Sequence, residues 1–163
     1  MSDVTSAPQV EANKARVRQM LQRLSVGDVA GFTDHLSPNY IRHSQAMPPE
    51  LQEIRGRDAM HRWLVSNFVP FPDYHEELEW LVGERDFVAW RSRGRGTQSG
   101  PFGPFPATGK RMDLEIIGMH RFEGALVAET WTSWDNLAVL TQLGHLPPAQ
   151  SSSRSRWMHP RIA

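Results

Sequence analysis

The order of hydrophobic patterns along the chain limits the folds it can adopt. Helical periodicity occupies the first part of the sequence and a short segment near its end, whereas strand-like segments dominate residues 75–134. Helices followed by consecutive strands indicate an α+β fold with an antiparallel sheet, not a doubly wound parallel sheet. We therefore expect one α+β domain in residues 1–146. Residues 147–163 read as a tail that is either flexible or docked on a neighbouring subunit.

The helical segments can be placed from apolar spacing and from their stop signals. The first helix has apolar residues at i, i+3, i+4 and i+7 and ends at Gly27. Those apolar residues are Val17, Met20, Leu21 and Leu24. Shorter helical patterns cover residues 29–36, 58–69 and 136–143.

The strands follow from short apolar runs between turn residues. They are predicted at residues 39–43, 75–82, 87–93, 110–122 and 126–134. Glu123-Gly124 is predicted as the turn between the last two strands, and the glycine- and proline-rich residues 94–109 as an open connection.

Composition excludes several classes of protein. The chain of 163 residues has no cysteine, so it has no disulfide framework, thiolate metal site or cysteine nucleophile. Its 18 Lys and Arg balance 18 Asp and Glu, which argues against nucleic-acid binding. No apolar run approaches the roughly 20 residues that span a bilayer, and no signal peptide is recognisable. We expect a cytoplasmic protein that binds neither nucleic acid nor membrane.

The end of the last predicted strand carries the strongest candidate for chemistry. If Phe122 lies opposite Ala125, Asp135 shares a face with His120, Trp131 and Ile116. A carboxyl among such apolar groups has a raised pKa and can act as a general acid/base. Asp135 can equally cap the helix that follows it. A register slip of one residue would move His120 to the other face.

Other candidates also have two interpretations. His43 is either an imidazole of the pocket or an ordinary, partly buried histidine. Trp63, Trp80 and Trp90 are either ligand contacts or residues of the core or an interface. The seven histidines form no compact ligand cluster, so no metal site is predicted.

A series of short motifs then suggests a family. In chain order they are Tyr40-Ile-Arg-His43, Gly56-Arg-Asp-Ala-Met60, Phe71-Pro-Asp-Tyr74, Gly94-Arg-Gly-Thr-Gln-Ser-Gly100, Pro106-Ala-Thr-Gly109 and Trp131-Thr-Ser-Trp-Asp135. Their order and spacing resemble the SnoaL-like polyketide cyclase (ester cyclase) family of the nuclear-transport-factor-2-like superfamily. Gln98 departs from the pattern, because many relatives have histidine there.

The resemblance implies a cone-shaped barrel in which a strongly curved antiparallel sheet wraps around the N-terminal helices and encloses an apolar cavity. It further implies cofactor-independent intramolecular aldol closure of a carbonyl compound, with Asp135 as acid/base and His43 in the cavity. The substrate-binding residues expected on this basis are His120, Trp131, Tyr40, Gln98, Trp63 and Ile116.

Three kinds of function are compatible with these features. The first is a cyclase- or isomerase-like enzyme acting on an apolar or aromatic carbonyl compound, with Asp135 and His43 as the catalytic residues: Asp135 removes the acidic proton and His43 stabilises the enolate. The second is a non-catalytic protein that binds a small molecule in the same cavity. The third is an interaction scaffold, because the open sheet of this superfamily commonly forms homodimers, and Trp80 and Trp90 would then lie in the interface.

Overall fold

A computed structural model describes residues 6–147, in which helices pack against the concave face of one mixed sheet. The helices are α1 (Ala7–Ser25), α2 (Val29–Thr33), α3 (Arg57–Phe68) and α4 (Asn136–Gln142), with one 3₁₀ turn at Pro49–Leu51. The strands are β1 (Leu36–His43), β2 (Glu53–Arg55), β3 (His75–Glu84), β4 (Phe87–Thr97), β5 (Arg111–Glu123) and β6 (Leu126–Trp134). The predicted α+β fold is confirmed. The predicted tail lies outside the described residues apart from Pro147.

The sheet has the order β2-β1-β6-β5-β4-β3. All its pairs are antiparallel except β1 with β6, which run parallel. The expectation of a purely antiparallel sheet is therefore wrong at this one pair, because the meander from β3 to β6 brings the last strand back beside β1 in the same direction. Within the described residues β2 and β3 are free edges, so the cone-shaped sheet does not close.

The helices bury the faces that their sequences predict. Val17, Met20, Leu21 and Leu24 of α1 are all buried in the main apolar core. Gly27, with φ of +74°, follows the end of α1, and Asp28 caps α2 by accepting a hydrogen bond from the amide of Gly31 at 2.8 Å. No helix among residues 6–147 is long and apolar enough to cross a bilayer.

The strand β4 continues beyond its predicted end at residue 93. It includes Gly94 and Gly96, which were assigned to the open connection. A Cβ at Gly94 would lie 2.8 Å from the Tyr74 hydroxyl. Gly94 therefore makes room for the side chain that packs on the concave face, and is not a turn residue.

The two tryptophans that the scaffold alternative places in an interface lie on opposite faces of the sheet. Trp80 is 42% exposed on the convex face. Trp90 is 4% exposed, so its assignment to an interface is wrong. Trp90 pairs with Leu81 and Gly118 across the sheet and points with them toward the core.

Candidate functional site

The concave face of the sheet and the helices enclose a cavity of about 180 Å³. Apolar and aromatic side chains form most of its wall. The polar side chains in the wall are Tyr40, Arg42, Asn67, Tyr74, Glu76, His120, Thr130, Thr132 and Asn136. A largely apolar cavity with a few convergent polar groups is typical of a small-molecule site.

The predicted site residues divide between this cavity and the rest of the molecule. Tyr40, Trp63, Ile116 and His120 line the cavity. The wall does not include the remaining candidates, which are Asp135, His43, Trp131 and Gln98. The structure thus brings together only part of the set, and the roles assigned to these residues stay predictions.

A β-bulge explains why His120 and Asp135 do not share a face. Phe122 lies opposite Val127, not Ala125, and Arg121 lies opposite Glu129. Ala128 is therefore an extra residue in β6, and it changes the alternation of every later side chain. Beyond the bulge, Thr130, Thr132 and Trp134 line the cavity, whereas the residues between them face outward. The predicted register is therefore wrong at two points: the turn shifts it by two residues, which keeps the faces, and the bulge then exchanges them.

Asp135 is exposed at the outer end of β6. Its Oδ1 atom accepts a hydrogen bond from the amide of Ala138 at 2.9 Å and so caps α4. The side chain borders a shallow surface groove together with Ile117 and Ser133. The helix-cap alternative is therefore observed directly.

His43 belongs to a second cluster on the convex face. Its Nε2 atom donates to Oε1 of Glu129 at 2.7 Å, and its ring stacks on Trp131 with 5.4 Å between centroids. Arg121 Nε donates to the other Glu129 oxygen at 3.1 Å. Burial raises the pKa of Glu129, but the hydrogen bonds from His43 and Arg121 outweigh it and lower that pKa overall.

Gln98 is fully buried beside the cavity, where it ties a loop to the segment that follows α4. Its amide nitrogen donates to the carbonyl of Pro106 at 3.0 Å. Its amide oxygen accepts from the Thr108 hydroxyl at 3.0 Å and from Nε2 of His145 at 2.8 Å. The loop held in this way carries Phe102, which lines the cavity. Gln98 thus positions the wall without forming part of it.

His120 is a neutral imidazole with one free nitrogen. Its Nδ1 atom lies 2.8 Å from the Thr130 hydroxyl, and its ring stacks on Trp90 at 4.1 Å. Burial lowers its pKa to about 3. Neither His120 Nε2 nor Trp90 Nε1 has a hydrogen-bond partner among the described residues. Gly118 permits this stack, since a Cβ there would come within 2.3 Å of the Trp90 ring.

Glu76 is a buried carboxyl in the cavity wall that sequence reasoning missed. The Tyr74 hydroxyl donates to its Oε2 atom at 2.8 Å, and the Ser92 hydroxyl donates to Oε1 at 2.5 Å. Burial raises the pKa of Glu76, although both hydrogen bonds oppose this change. The alternation of Glu76 with Leu78 along β3 was the available signal.

Arg42 is the second polar residue that was missed. Its side chain is 2% exposed, and its guanidinium carbon lies 4.4 Å from the centroid of the Trp63 ring and 5.7 Å from that of Trp134. Burial lowers its pKa to about 10, so it remains charged at neutral pH. Period-two alternation could have found it, because Tyr40 and His43 cannot face the same side of one regular strand.

The fold and its cavity define a class of protein: cone-shaped α+β domains that enclose a small-molecule site. Comparison with known proteins makes this specific. The chain belongs to the SnoaL-like polyketide cyclase family, whose model matches residues 15–143. Among curated proteins no sequence matches it. Within residues 6–147, no group of three or more His, Asp or Glu side chains is placed to hold a metal ion.

Solved structures agree with this assignment. AclR, a proposed hydroxylase from Streptomyces galilaeus, is 26% identical with a TM-score of 0.74, over 85% of this chain and 99% of its own. IdmH, a proposed polyketide cyclase from Streptomyces antibioticus, is 26% identical with a TM-score of 0.70, over 81% and 98%. A SnoaL-like protein from Jannaschia shares the fold at 21% identity and a TM-score of 0.77, over 87% and 98%.

Proposed function

We propose that this protein is a polyketide-cyclase-like enzyme that removes an acidic C–H proton from a carbonyl compound held in the cavity. One observation carries the proposal. The same wall contains a buried carboxyl, Glu76, and two buried ring nitrogens, His120 Nε2 and Trp90 Nε1, that have no partner in the described residues. Buried polar atoms of native proteins are normally hydrogen-bonded, so unpaired ones in a cavity wall indicate a site for ligand atoms.

Glu76 is the proposed base. A carboxyl whose pKa is raised by burial binds a proton more strongly than one in water, and it can therefore take a proton from carbon and return it. The hydroxyls of Tyr74 and Ser92 fix its orientation and stabilise the ionised form. Each oxygen keeps a lone pair for the substrate proton.

His120 is the proposed stabiliser of the enolate. When the Thr130 hydroxyl donates to Nδ1, Nε2 carries the proton and can donate it in a hydrogen bond to the substrate oxygen. A neutral imidazole suits this task because it polarises a carbonyl without being deprotonated first. The enolate carbon then attacks a second carbonyl of the same molecule, and the resulting alkoxide takes up the proton held by Glu76. The proposed chemistry needs only these acid/base groups.

A deuterium-uptake assay tests the base. Exchange from D₂O at the α-carbon of an aromatic ketone such as 1-tetralone is followed by mass spectrometry. Glu76→Gln should reduce the catalysed rate by about 10²-fold or more, as expected for loss of a general base. Asp135→Asn, which keeps an acceptor for the helix cap, should change the rate only a few-fold.

The opposite pattern would assign the chemistry to Asp135, as the family resemblance implies, and would refute the assignment of Glu76. Saturable binding of ketones without any catalysed uptake would favour the alternative function, a non-catalytic protein that binds a small molecule in the same cavity.

We further propose that the convex face of the sheet binds a second copy of the chain. Paired positions place Val82, Ala89, Met119 and Trp131 in one apolar row across four strands. Arginines and acidic residues of neighbouring rows form ion pairs such as Arg93 with Asp113. An apolar row beside charges of both signs suits a self-complementary two-fold interface.

Light scattering after gel filtration tests this interface. Val82→Arg places a charge in the apolar row and should convert a dimer to a monomer. Val69→Arg, at an equally exposed valine beyond the end of α3, is the matched control. A monomeric wild type would contradict the proposed dimer.

A further inference from the structure

Arg42 is a buried cation without a counterion. None of the ion pairs within residues 6–147 includes it, and its Nη1 atom has no hydrogen-bond partner there. Its side chain lies in the cavity wall between Trp63 and Trp134. Buried charges in proteins are normally paired, so this one is an exception that requires an explanation.

The aromatic neighbours compensate only part of the free-energy cost of burying this charge. The face of a tryptophan attracts a guanidinium by roughly 0.5–2 kcal/mol, which is less than the several kcal/mol that desolvation of an ion costs. Glu76 is the one carboxyl among the described residues of the wall, and it is bound by Tyr74 and Ser92 and forms no ion pair with Arg42. No carboxylate of the described wall therefore compensates Arg42, and a ligand that brings its own anion would fit this position.

A transient enolate would not supply this charge. It forms only during the reaction, so Arg42 would remain uncompensated while the substrate is bound and before the proton is removed. A carboxylate already present on the ligand neutralises the guanidinium from the moment of binding. The planar fork of an arginine also matches a carboxylate with two parallel hydrogen bonds.

We propose that the cavity binds a planar aromatic compound that carries a free carboxylate, with the carboxylate on Arg42 and the ring system against Trp63 and Trp134. The inference rests on the proposed function, since it takes this cavity as the substrate site. It concerns binding alone, however, and can be tested without turnover. It predicts that the free acid, not its ester or amide, is the form the cavity selects.

The test compares ligands that differ only in charge. Binding of 2-naphthoate, 2-naphthamide and methyl 2-naphthoate to the full chain is measured by calorimetry and by quenching of tryptophan fluorescence. We expect the acid to bind at least tenfold more tightly than either neutral compound. Equal affinities of the wild type for the three compounds, or no binding of the acid, would overturn the inference. No result with a variant would change that conclusion.

Two variants test whether Arg42 is the group that binds the carboxylate of the ligand. Arg42→Met keeps the length of the side chain without its charge, and it should abolish the preference for the acid. Arg93→Met removes an arginine from the convex face and should leave the preference unchanged, because Arg93 pairs with Asp113 there. If Arg42→Met retains the preference, or Arg93→Met loses it, Arg42 is not the anion site.

The result of this binding test can be distinguished from the result of the deuterium assay. Glu76→Gln should retain the preference for the acid even though it loses catalysed exchange. Acid preference without any exchange in the wild type, with 1-tetralone and with a tetralone that carries a carboxylate, would leave the anion site standing and refute the enzyme. Exchange without acid preference would refute the anion site and leave the enzyme.

Discussion

Burial of His120 should make the stability of this protein fall in mild acid. The imidazole has a pKa near 6.5 in an unfolded chain, and burial lowers it to about 3 in the folded state. Between these values the unfolded state binds the proton and the folded state does not, so stability is lost as pH falls through this window. The difference corresponds to at most about 5 kcal/mol, of which about 2 kcal/mol is lost between pH 7 and pH 5.

Urea unfolding at pH 7, 6 and 5 measures this loss. The perturbation is His120→Gln, which retains a polar group for Thr130 but cannot bind a proton. The variant should lose about 2 kcal/mol less than the wild type over this range. Glu76 changes the pH dependence of stability in the opposite direction. Because its pKa is raised in the folded state, its contribution makes the free energy of unfolding fall as pH rises. Its contribution is present in both proteins and largely cancels in the comparison.

Two results would refute this reasoning. Parallel pH dependences for the wild type and His120→Gln would show that His120 does not resist protonation in the folded state. An equal flattening in His75→Gln, at the exposed start of β3, would show that burial is not the cause. A titration of the imidazole by NMR gives the same answer directly, since His120 should remain neutral at pH 5.

Three further substitutions test the local structure around the cavity. Gly118→Ala should lower the free energy of unfolding by about 1–3 kcal/mol, because its Cβ would meet the Trp90 ring at 2.3 Å. Gly96→Ala is the control: its Cβ would lie 3.4 Å from the nearest atom, so it should lower the free energy of unfolding by less in the same urea titration. Gln98→Leu should lower the free energy of unfolding by about 2 kcal/mol, because the carbonyl of Pro106 loses its donor and Thr108 and His145 lose their acceptor, and proteolysis should then cut residues 99–109 faster. Asp135→Ala should lower the thermal midpoint through loss of a cap worth about 0.5–2 kcal/mol, whereas Asp135→Asn should not.

The elements of this fold could be read from the sequence because each has a periodic pattern and a stop signal. Val17 and Leu24 mark the buried stripe of α1, and Gly27 marks its end. The parallel pairing of β1 with β6 could not be read in the same way. This pairing depends on α3 carrying the chain to the far edge of the sheet and on the meander from β3 to β6 returning to β1, and a five-residue strand pattern does not contain that information.

The site was predicted less completely, and one residue accounts for much of the difference. Alternation correctly separates the two faces of β6, but the bulge at Ala128 decides which face is concave. Nothing in the local pattern distinguishes Ala128 from its apolar neighbours. Asp135 and Trp131 were therefore assigned to the cavity, whereas Thr130 and Thr132 occupy it.

Three polar residues of the cavity wall share a property that sequence patterns do not express. Arg42 Nη1, Trp90 Nε1 and His120 Nε2 are buried and have no partner in the described residues, and each such atom costs about 1–3 kcal/mol. Apolar side chains of similar volume would avoid this cost, so these polar atoms lower the stability of the protein without a ligand. Their presence in one wall is best explained by a ligand whose own polar atoms complete them. Bound ligand should therefore stabilise this protein more than its contact area with the apolar wall alone would suggest.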